Sequence, residues 1–285
     1  MFFECVLIPM FFLIGLWGSR IRKIHATNYF YLYTLFGSFF MFFAVLLIYS
    51  YAGTGEFDVL KTIKFEQPLS IIIFILLFFC FAIKVPMLPF HIWLPEAHVE
   101  APTVGSVLLA GVLLKLGVYG IFRILIPVFP EELVIISPFV YLVATISIIY
   151  CSFAIMRQID LKKIIAYSSV IHMNFALVGL FSLTLSGVLG GFYLMINHGI
   201  VSSALFFCVG SLYDRYHTRL VTYYGGLNLL MPIFSLFFII FTLANFGFPG
   251  TSSFIGEFLV IFGAFDVSSL LAYLTNISML SSTCY

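Results

Sequence analysis

Five ionisable side chains, Lys84, Lys115, His172, His198 and Glu257, lie in the middle of apolar stretches long enough to cross a bilayer. A lysine or acid at a helix centre disfavours insertion by roughly 2.5–3.5 kcal/mol. Groups persist at that depth where they do something there, and what these types offer is proton chemistry. Removal from water disfavours the charged form of a lysine and brings proton loading and release toward neutral pH. Imidazole titrates there unaided. A carboxylate beside a buried lysine restores its proton affinity, so moving or neutralising the acid switches the lysine. Protonatable groups on successive spans are what a proton needs in order to cross a membrane or be stored inside it.

Each position has a bland reading beside the chemical one. Lys84 directly precedes Val85 and Pro86, where helical carbonyls lose their donors, so free backbone could satisfy the ammonium; the alternative is an interfacial lysine that snorkels. Lys115, in the run SVLLAGVLLKLGVYGIF, has apolar or small residues on both sides and less chance of reaching water. Glu257 follows the helix-breaking Pro249 and Gly250. Glu4 lies close to the chain start and, on the sequence alone, could instead be interfacial. His172 and His198 are flanked by Ser168, Ser169, Asn197, Ser202 and Ser203, groups that could hold ordered water around a relay; a lone membrane histidine is otherwise a hydrogen-bonded packing residue.

The elements that must carry these groups follow from composition. Over 285 residues the chain is 62% hydrophobic and 9% charged, too little polar surface for a water-soluble exterior. A net charge of +1 excludes the basic footprint of a nucleic-acid binder, and lipid is the main solvent. Nine candidate spans lie near 1–17, 29–52, 68–90, 103–126, 138–156, 164–184, 187–212, 229–263 and 268–285. All are expected to be helices, because an open sheet cannot satisfy its backbone in lipid. Alternate loops share their charge unequally. Arg20, Arg22, Lys23, Arg157, Lys162, Lys163, Arg215 and Arg219 fall on one side and Lys61, Lys64 and Arg123 on the other, which makes the first side cytoplasmic or matrix.

Two runs must break. Pro86 and Pro89 interrupt the third, and Gly247, Pro249 and Gly250 interrupt the eighth, which as one straight helix would be about 55 Å long against a hydrocarbon core of about 30 Å. Paired broken helices at corresponding places are the device by which inverted-repeat transporters expose backbone near the bilayer midplane. The fold expected is therefore all-α and polytopic, an inverted-repeat antiporter-like arrangement. Residues 1–126 form the remainder of a first repeat and 127–285 a second. The five cysteines are far apart and read as small buried hydrophobes, with no disulfide, iron–sulfur cluster or zinc expected. Gly53, Thr54 and Gly55 lack the third glycine of a dinucleotide fingerprint, and there is no P-loop.

The runs KVPMLPFHIWLPEAHVEAPTVGSVLLAGVLLKLGVYGIFR (84–123), RQIDLKKIIAYSSVIHMN (157–174), NHGIVSSALFFCVGSLYDR (197–215) and FPGTSSFIGEF (248–258) resemble, in order, the subunit 4 family of mitochondrial-type NADH:ubiquinone oxidoreductase, respiratory complex I. The resemblance covers nearly the whole chain. It implies proton translocation in the mitochondrial inner membrane, driven by redox chemistry in other subunits. Those subunits would hold NADH, FMN, iron–sulfur clusters and ubiquinone, with no cofactor and no metal here. It also implies roles: Glu4 and Lys84 as a coupled acid–lysine pair, Lys115 as the central lysine, His172 and His198 as the linking relay, and Glu257 as the terminal acid. Partners would be the other membrane-arm subunits. Members of the family usually have more spans, so a second polypeptide is expected to supply N-terminal ones, unless the sequence is a piece of a longer chain. The alternatives are a subunit of a multisubunit sodium/proton antiporter, which shares these lysines and glutamates, and a degenerate subunit kept for assembly.

Overall fold

The computed structural model describes residues 2–282, with side chains described for 3–277; Cys284 lies outside the described residues. The described residues are nearly all helical, and their only β pairing is an isolated bridge between Asp160 and Leu220. A short turn, Phe2–Cys5, leads into α1 (Leu7–Trp17). The long α2 (Lys23–Ala52) is followed by α3 (Leu69–Lys84), α4 (Trp93–Glu100) and α5 (Thr103–Val128). Then come α6 (Pro130–Met156), α7 (Leu161–Phe181) and α8 (Leu185–Tyr216), and finally α9 (Pro232–Asn245), α10 (Ser252–Val267) and α11 (Ser269–Ser282). Five of these, α2, α5, α6, α7 and α8, are long and apolar enough to cross a membrane by length and composition. The chain is an all-helical polytopic membrane protein.

Its core and its lipid face are both apolar, so burial rather than hydropathy separates them. In α7, 89% of the most apolar window is buried, against 17% in α2. The first is therefore the central post of the bundle and the second a peripheral wall, where Phe36, Phe39, Phe42 and Phe43 point outward. Much of the chain's high phenylalanine content is solvated by lipid in this way. Cys80, Cys151 and Cys208 are buried and unpaired, and Cys5 is exposed and unpaired.

Both expected breaks are present. The third span stops at Lys84 and resumes as α4; the eighth stops at Asn245 and resumes as α10. Backbone groups released in lipid must find partners elsewhere in the protein, and here they do. Trp93 Nε1 donates to the Ile83 carbonyl at 2.9 Å, Asn174 Nδ2 to Pro86 O at 3.3 Å, and Leu88 N to Ser147 Oγ at 3.0 Å. At the second break Asn197 Nδ2 donates to Ser252 O at 3.0 Å, and the Ser253 hydroxyl donates to the Ala244 carbonyl. The free carbonyls near Lys84 thus go to Trp93 and Asn174 and not to the Lys84 ammonium, contrary to the sequence expectation.

Hydropathy carries no sign that α5 is irregular. It contains two π-helical turns, Leu109–Leu113 and Ile121–Leu125. Single π turns inside α-helices change which way the following side chains point and are frequent at functional sites; Lys115 comes just after the first. The close approach of neighbouring helices rests on glycine. A Cβ on Gly120 would come within 2.3 Å of the Phe81 ring, and one on Gly263 within 2.5 Å of the Gly187 backbone. A flexible ring can move aside, whereas backbone cannot. Gly263→Leu, which forces α10 away from α8, is expected to destabilise by about 1–3 kcal/mol or more. Gly55→Ala, where nothing lies within 4 Å, should be neutral. Thermal unfolding of the detergent-solubilised protein compares the two.

Candidate functional site

The break after α3 sets Lys84 at a helix end, 4% exposed, facing the start of the chain. Its Nζ lies 3.1 Å from Glu4 Oε1 and 3.3 Å from the Phe3 carbonyl, and 3.5 Å from the centroid of the Phe3 ring. A buried ammonium needs this much: a carboxylate, a carbonyl and the face of an aromatic ring. The pair expected of Glu4 and Lys84 is formed. Gly117 of α5 packs directly on Lys84, a Cβ there coming within 3.1 Å of the Lys84 Cβ, so the pair stands beside the helix that carries the central lysine.

Lys115 leaves α5 just past the first π turn. Its Nζ donates to the Ala110 carbonyl inside that turn and lies 2.9 Å from His198 Nδ1. The approach of α8 needs Gly199, where a Cβ would sit 3.1 Å from Lys115 Cε. On α8 the His198 ring is 5.6 Å, centroid to centroid, from His172 on α7. His172 Nδ1 in turn lies 3.3 Å from Glu257 Oε1 on α10. Glu257 is held against the second break: a Cβ on Gly247, at φ +67°, would come within 1.9 Å of its Oε2, so a bare Cα is required there. Four side chains from four helices thus form one file, Lys115, His198, His172, Glu257. The residual cavity between the histidines, lined also by Leu194, Val201, Ala244, Asn245 and Ser253, has room for about one water. Among the described residues, His198 Nε2 and Glu257 Oε2 are buried with no hydrogen-bond partner, as is Glu4 Oε2.

The donor protons of the flanking hydroxyls go to backbone carbonyls. Ser168 and Ser169 donate to Ile165 O, Ser202 to His198 O and Ser203 to Ile200 O, while Asn197 holds the second break. A serine inside a lipid-embedded helix has a carbonyl one turn back always within reach, and that bond is made first. The file is joined by the ionisable groups themselves.

A second buried polar cluster escaped the sequence reading. Arg219, 1% exposed, donates to the Val99 carbonyl, reaches Ser19 Oγ at 2.7 Å and lies 4.0 Å from Glu100 Oε1. Lys162, equally buried, donates to Ala101 O at 2.9 Å. Both cations stand over the Tyr213 ring, at 5.0 and 5.7 Å. Counted as loop charges by the sequence, they are tertiary clamps: Arg219 ties the α8–α9 connection to the α1–α2 connection and the end of α4, and Lys162 ties the start of α7 to the residue after α4. His98 lies in the same region, fully buried and stacked at 4.4 Å on Phe206. The one available signal was the pairing of His98 and Glu100 with helix-breaking Pro102.

A family model described as NADH:quinone oxidoreductase/Mrp antiporter, TM matches residues 1–282. The chain belongs to that family. Over 284 residues it is 58% identical to the NADH-ubiquinone oxidoreductase chain 4 of Marchantia polymorpha and to that of Arabidopsis thaliana. A third relative of the same name, from Metridium senile, is 46% identical over 283 residues. The chain spans 57% of the length of the Marchantia and Arabidopsis relatives. It is also similar in structure to a chain of respiratory complex I from Thermus thermophilus with bound NADH, at a TM-score of 0.95 and 34% identity; the match covers 100% of this chain and 61% of that one. A chain of an archaeal membrane-bound sulfane sulfur reductase matches at a TM-score of 0.93 and 24% identity, a likeness of fold alone.

Truncating Arg219 leaves Glu100 buried without its cation and the Val99 carbonyl without its donor. Arg219→Met is expected to destabilise by about 3–5 kcal/mol, read as a lowered unfolding midpoint. Lys163→Met, which removes a half-exposed partner of Glu96, should cost about 1 kcal/mol or less.

Proposed function

We propose that this chain is a proton-translocating membrane-arm subunit of NADH:ubiquinone oxidoreductase, complex I, in the mitochondrial inner membrane. The observation that carries the reading is the file of ionisable groups from Lys115 through His198 and His172 to Glu257, closed by short contacts at both ends and by neighbouring rings in the middle. The names and identities of the relatives support the choice of complex I over a multisubunit sodium/proton antiporter. In this reading other subunits hold the redox cofactors, and other membrane-arm subunits are the partners. Residues 1–126 are the remainder of a first inverted repeat and 127–285 a second, each with one broken helix and one ionisable residue beside the break.

The geometry supports one order of proton steps. While Glu4 holds the Lys84 ammonium, the field of that cation at Lys115 is partly cancelled. When the pair separates, the uncancelled charge of Lys84 disfavours the charged form of Lys115. Lys115 Nζ then gives its proton to His198 Nδ1, 2.9 Å away. The imidazolium releases a proton from Nε2, its nitrogen without a protein partner, toward the His172 ring, directly or through one water. His172 passes a proton from Nδ1 to Glu257 Oε1 at 3.3 Å. Each hop needs the acceptor's free lone pair and resets when the ring exchanges tautomers. Moving one charge across the membrane requires about 2.3 kcal/mol per 100 mV, which redox chemistry elsewhere must supply.

Lys115→Ala removes the head of the file. Proton transport coupled to NADH oxidation is expected to fall by about 10²-fold or more in an otherwise assembled complex; a variant that pumps at full stoichiometry would overturn the scheme. Mass spectrometry of the native complex in mild detergent tests the partners. Co-purifying iron–sulfur subunits are the expected result, and antiporter subunits without redox partners would transfer the chain to the other branch of its family. The same measurement reads whether further spans travel on a separate polypeptide.

A further inference from the structure

A polar crevice on the side opposite the basic face plays no part in the file. It has a volume of about 190 Å3, room for several waters, and lies where the α2–α3 connection meets the turn between α5 and α6. Glu132 lines it from the first turn of α6 and Ser70 from the first turn of α3. Glu132 is 7% exposed, and its side chain makes no hydrogen bond or ion pair among the described residues; the Ser70 hydroxyl is buried without a partner. The positive end of the α6 dipole favours a carboxylate at that position, which accounts for its charge and leaves its oxygens without donors. A carboxylate buried and unpaired is costly, so the crevice suits a group that donates hydrogen bonds to it.

Two lysines line the same space. Lys61 is already met by Asp58 at 3.0 Å and by the face of the Phe57 ring, whereas Lys64 is exposed and has no partner among the described residues. One crevice thus offers an unmet carboxylate at depth and an unmet ammonium toward water. We propose that it holds the phosphoethanolamine headgroup of a membrane lipid, with the primary ammonium on Glu132 and the phosphate on Lys64. A zwitterion satisfies both charges and adds none, and its three ammonium protons supply the Ser70 oxygen as well as the carboxylate. A choline headgroup has no N–H to donate and leaves Glu132 and Ser70 unmet. An anionic headgroup without an amine sets its charge against Glu131 and Glu132, which both line the crevice.

The surroundings favour a lipid as the source of that headgroup. Phe65 and Phe129, with ring centroids 5.4 Å apart, back the crevice with apolar surface, where a charge pair is screened less than in water. The two helices that carry Ser70 and Glu132 run from the crevice into the bilayer. Within two turns along them Ile72, Ile75, Ile135 and Phe139 are exposed, an apolar surface on which acyl chains can lie while the headgroup stays in the crevice. The inference stands apart from the proton-relay reading above, since none of these residues belongs to the file.

The test uses the native complex that contains this chain, in nanodiscs of phosphatidylcholine. Each preparation carries a trace of one photoreactive lipid, with the reactive group near the glycerol and an ethanolamine, choline or glycerol headgroup on the phosphate. Attachment is read by mass spectrometry of the peptides covering 61–75 and 127–139. The phosphatidylethanolamine probe is expected to label them at least about tenfold more than either of the others. Glu132→Gln, which keeps the size and removes the charge, should lower that labelling about tenfold or more, while Glu66→Gln, an exposed acid outside the crevice, leaves it unchanged. Should Glu132→Gln fail to assemble, Lys64→Met at the exposed end decides, with labelling lowered about threefold. Equal labelling by the ethanolamine and choline probes, labelling spread evenly over the lipid-facing helices, or unchanged labelling in both variants would overturn the site. Displacement of the probe by soluble glycerophosphoethanolamine as effectively as by the lipid would overturn the lipid as its source. Absence of labelling, with cross-links from these peptides to another polypeptide, would overturn it in favour of a basic side chain of that neighbour. Proton transport does not enter the readout, so failure of the relay and failure of this site are told apart.

Discussion

A charge inside a bilayer has to be met by another group of the protein, and much of this structure can be derived from that requirement. Lys84 is met by Glu4, the Phe3 carbonyl and the Phe3 ring; Lys115 by the Ala110 carbonyl and His198; Glu257 by His172. Apart from the Ala110 carbonyl, each partner comes from another element, so the charges cannot be satisfied until the Phe2–Cys5 turn, α3, α5, α7, α8 and α10 have come together. Helix association in lipid has no hydrophobic driving force of its own and relies on close packing and interhelical polar contacts. Here the two coincide. Gly199 lets α8 approach Lys115, Gly117 lets α5 approach Lys84, and Gly247 lets the break approach Glu257.

The two breaks serve the same requirement from the backbone side. Ending a helix at mid-membrane frees carbonyls and amides that lipid cannot hydrogen-bond, and donors brought from elsewhere, Trp93, Asn174 and Asn197, satisfy them. What is gained is position. An ionisable group beside a break can face the interior of the bundle without the rest of a regular helix standing in its way, and the non-helical residues give a place where a few dihedral angles can change without disturbing a whole helix. The π turns of α5 do on a smaller scale what the breaks do on a larger one. They rotate the second half of a continuous helix so that Lys115 meets α8 while Gly117 and Gly120 still pack on α3.

This explains what was legible in the sequence. The sites of Lys84, Lys115, His172, His198 and Glu257 could be read because transfer into lipid makes each of them costly wherever its helix ends up. The breaks could be read because proline and glycine act locally. The order of the file could not: Lys115 meets His198 and Glu257 meets His172 only through the crossing of α5, α7, α8 and α10, and no local pattern encodes a crossing. The π turns left no mark in the hydropathy, since one extra residue per turn alters direction but not composition. Arg219 and Lys162 were misjudged for a related reason. At the end of a span a basic residue counts toward orientation whether it faces water or, as here, is 1% exposed and clamped to backbone carbonyls.

A file of protonatable groups that is to move protons one way needs a drive from outside itself. Neighbouring protonatable groups at hydrogen-bond distance share protons readily, and without an external bias a proton on the file would have no preferred direction. The Glu4–Lys84 pair is suited to supply that bias because it lies beside the file but outside it: it contacts α5 through Gly117 and makes no hydrogen bond with Lys115 or the histidines among the described residues. An ion pair that opens changes the field at its neighbours without exchanging a proton with them, and in a medium of low dielectric constant that field is weakly screened. On the proposed scheme, separating the biasing pair from the conducting groups would keep control and conduction from short-circuiting each other, through a packed glycine contact between two helices instead of a hydrogen bond.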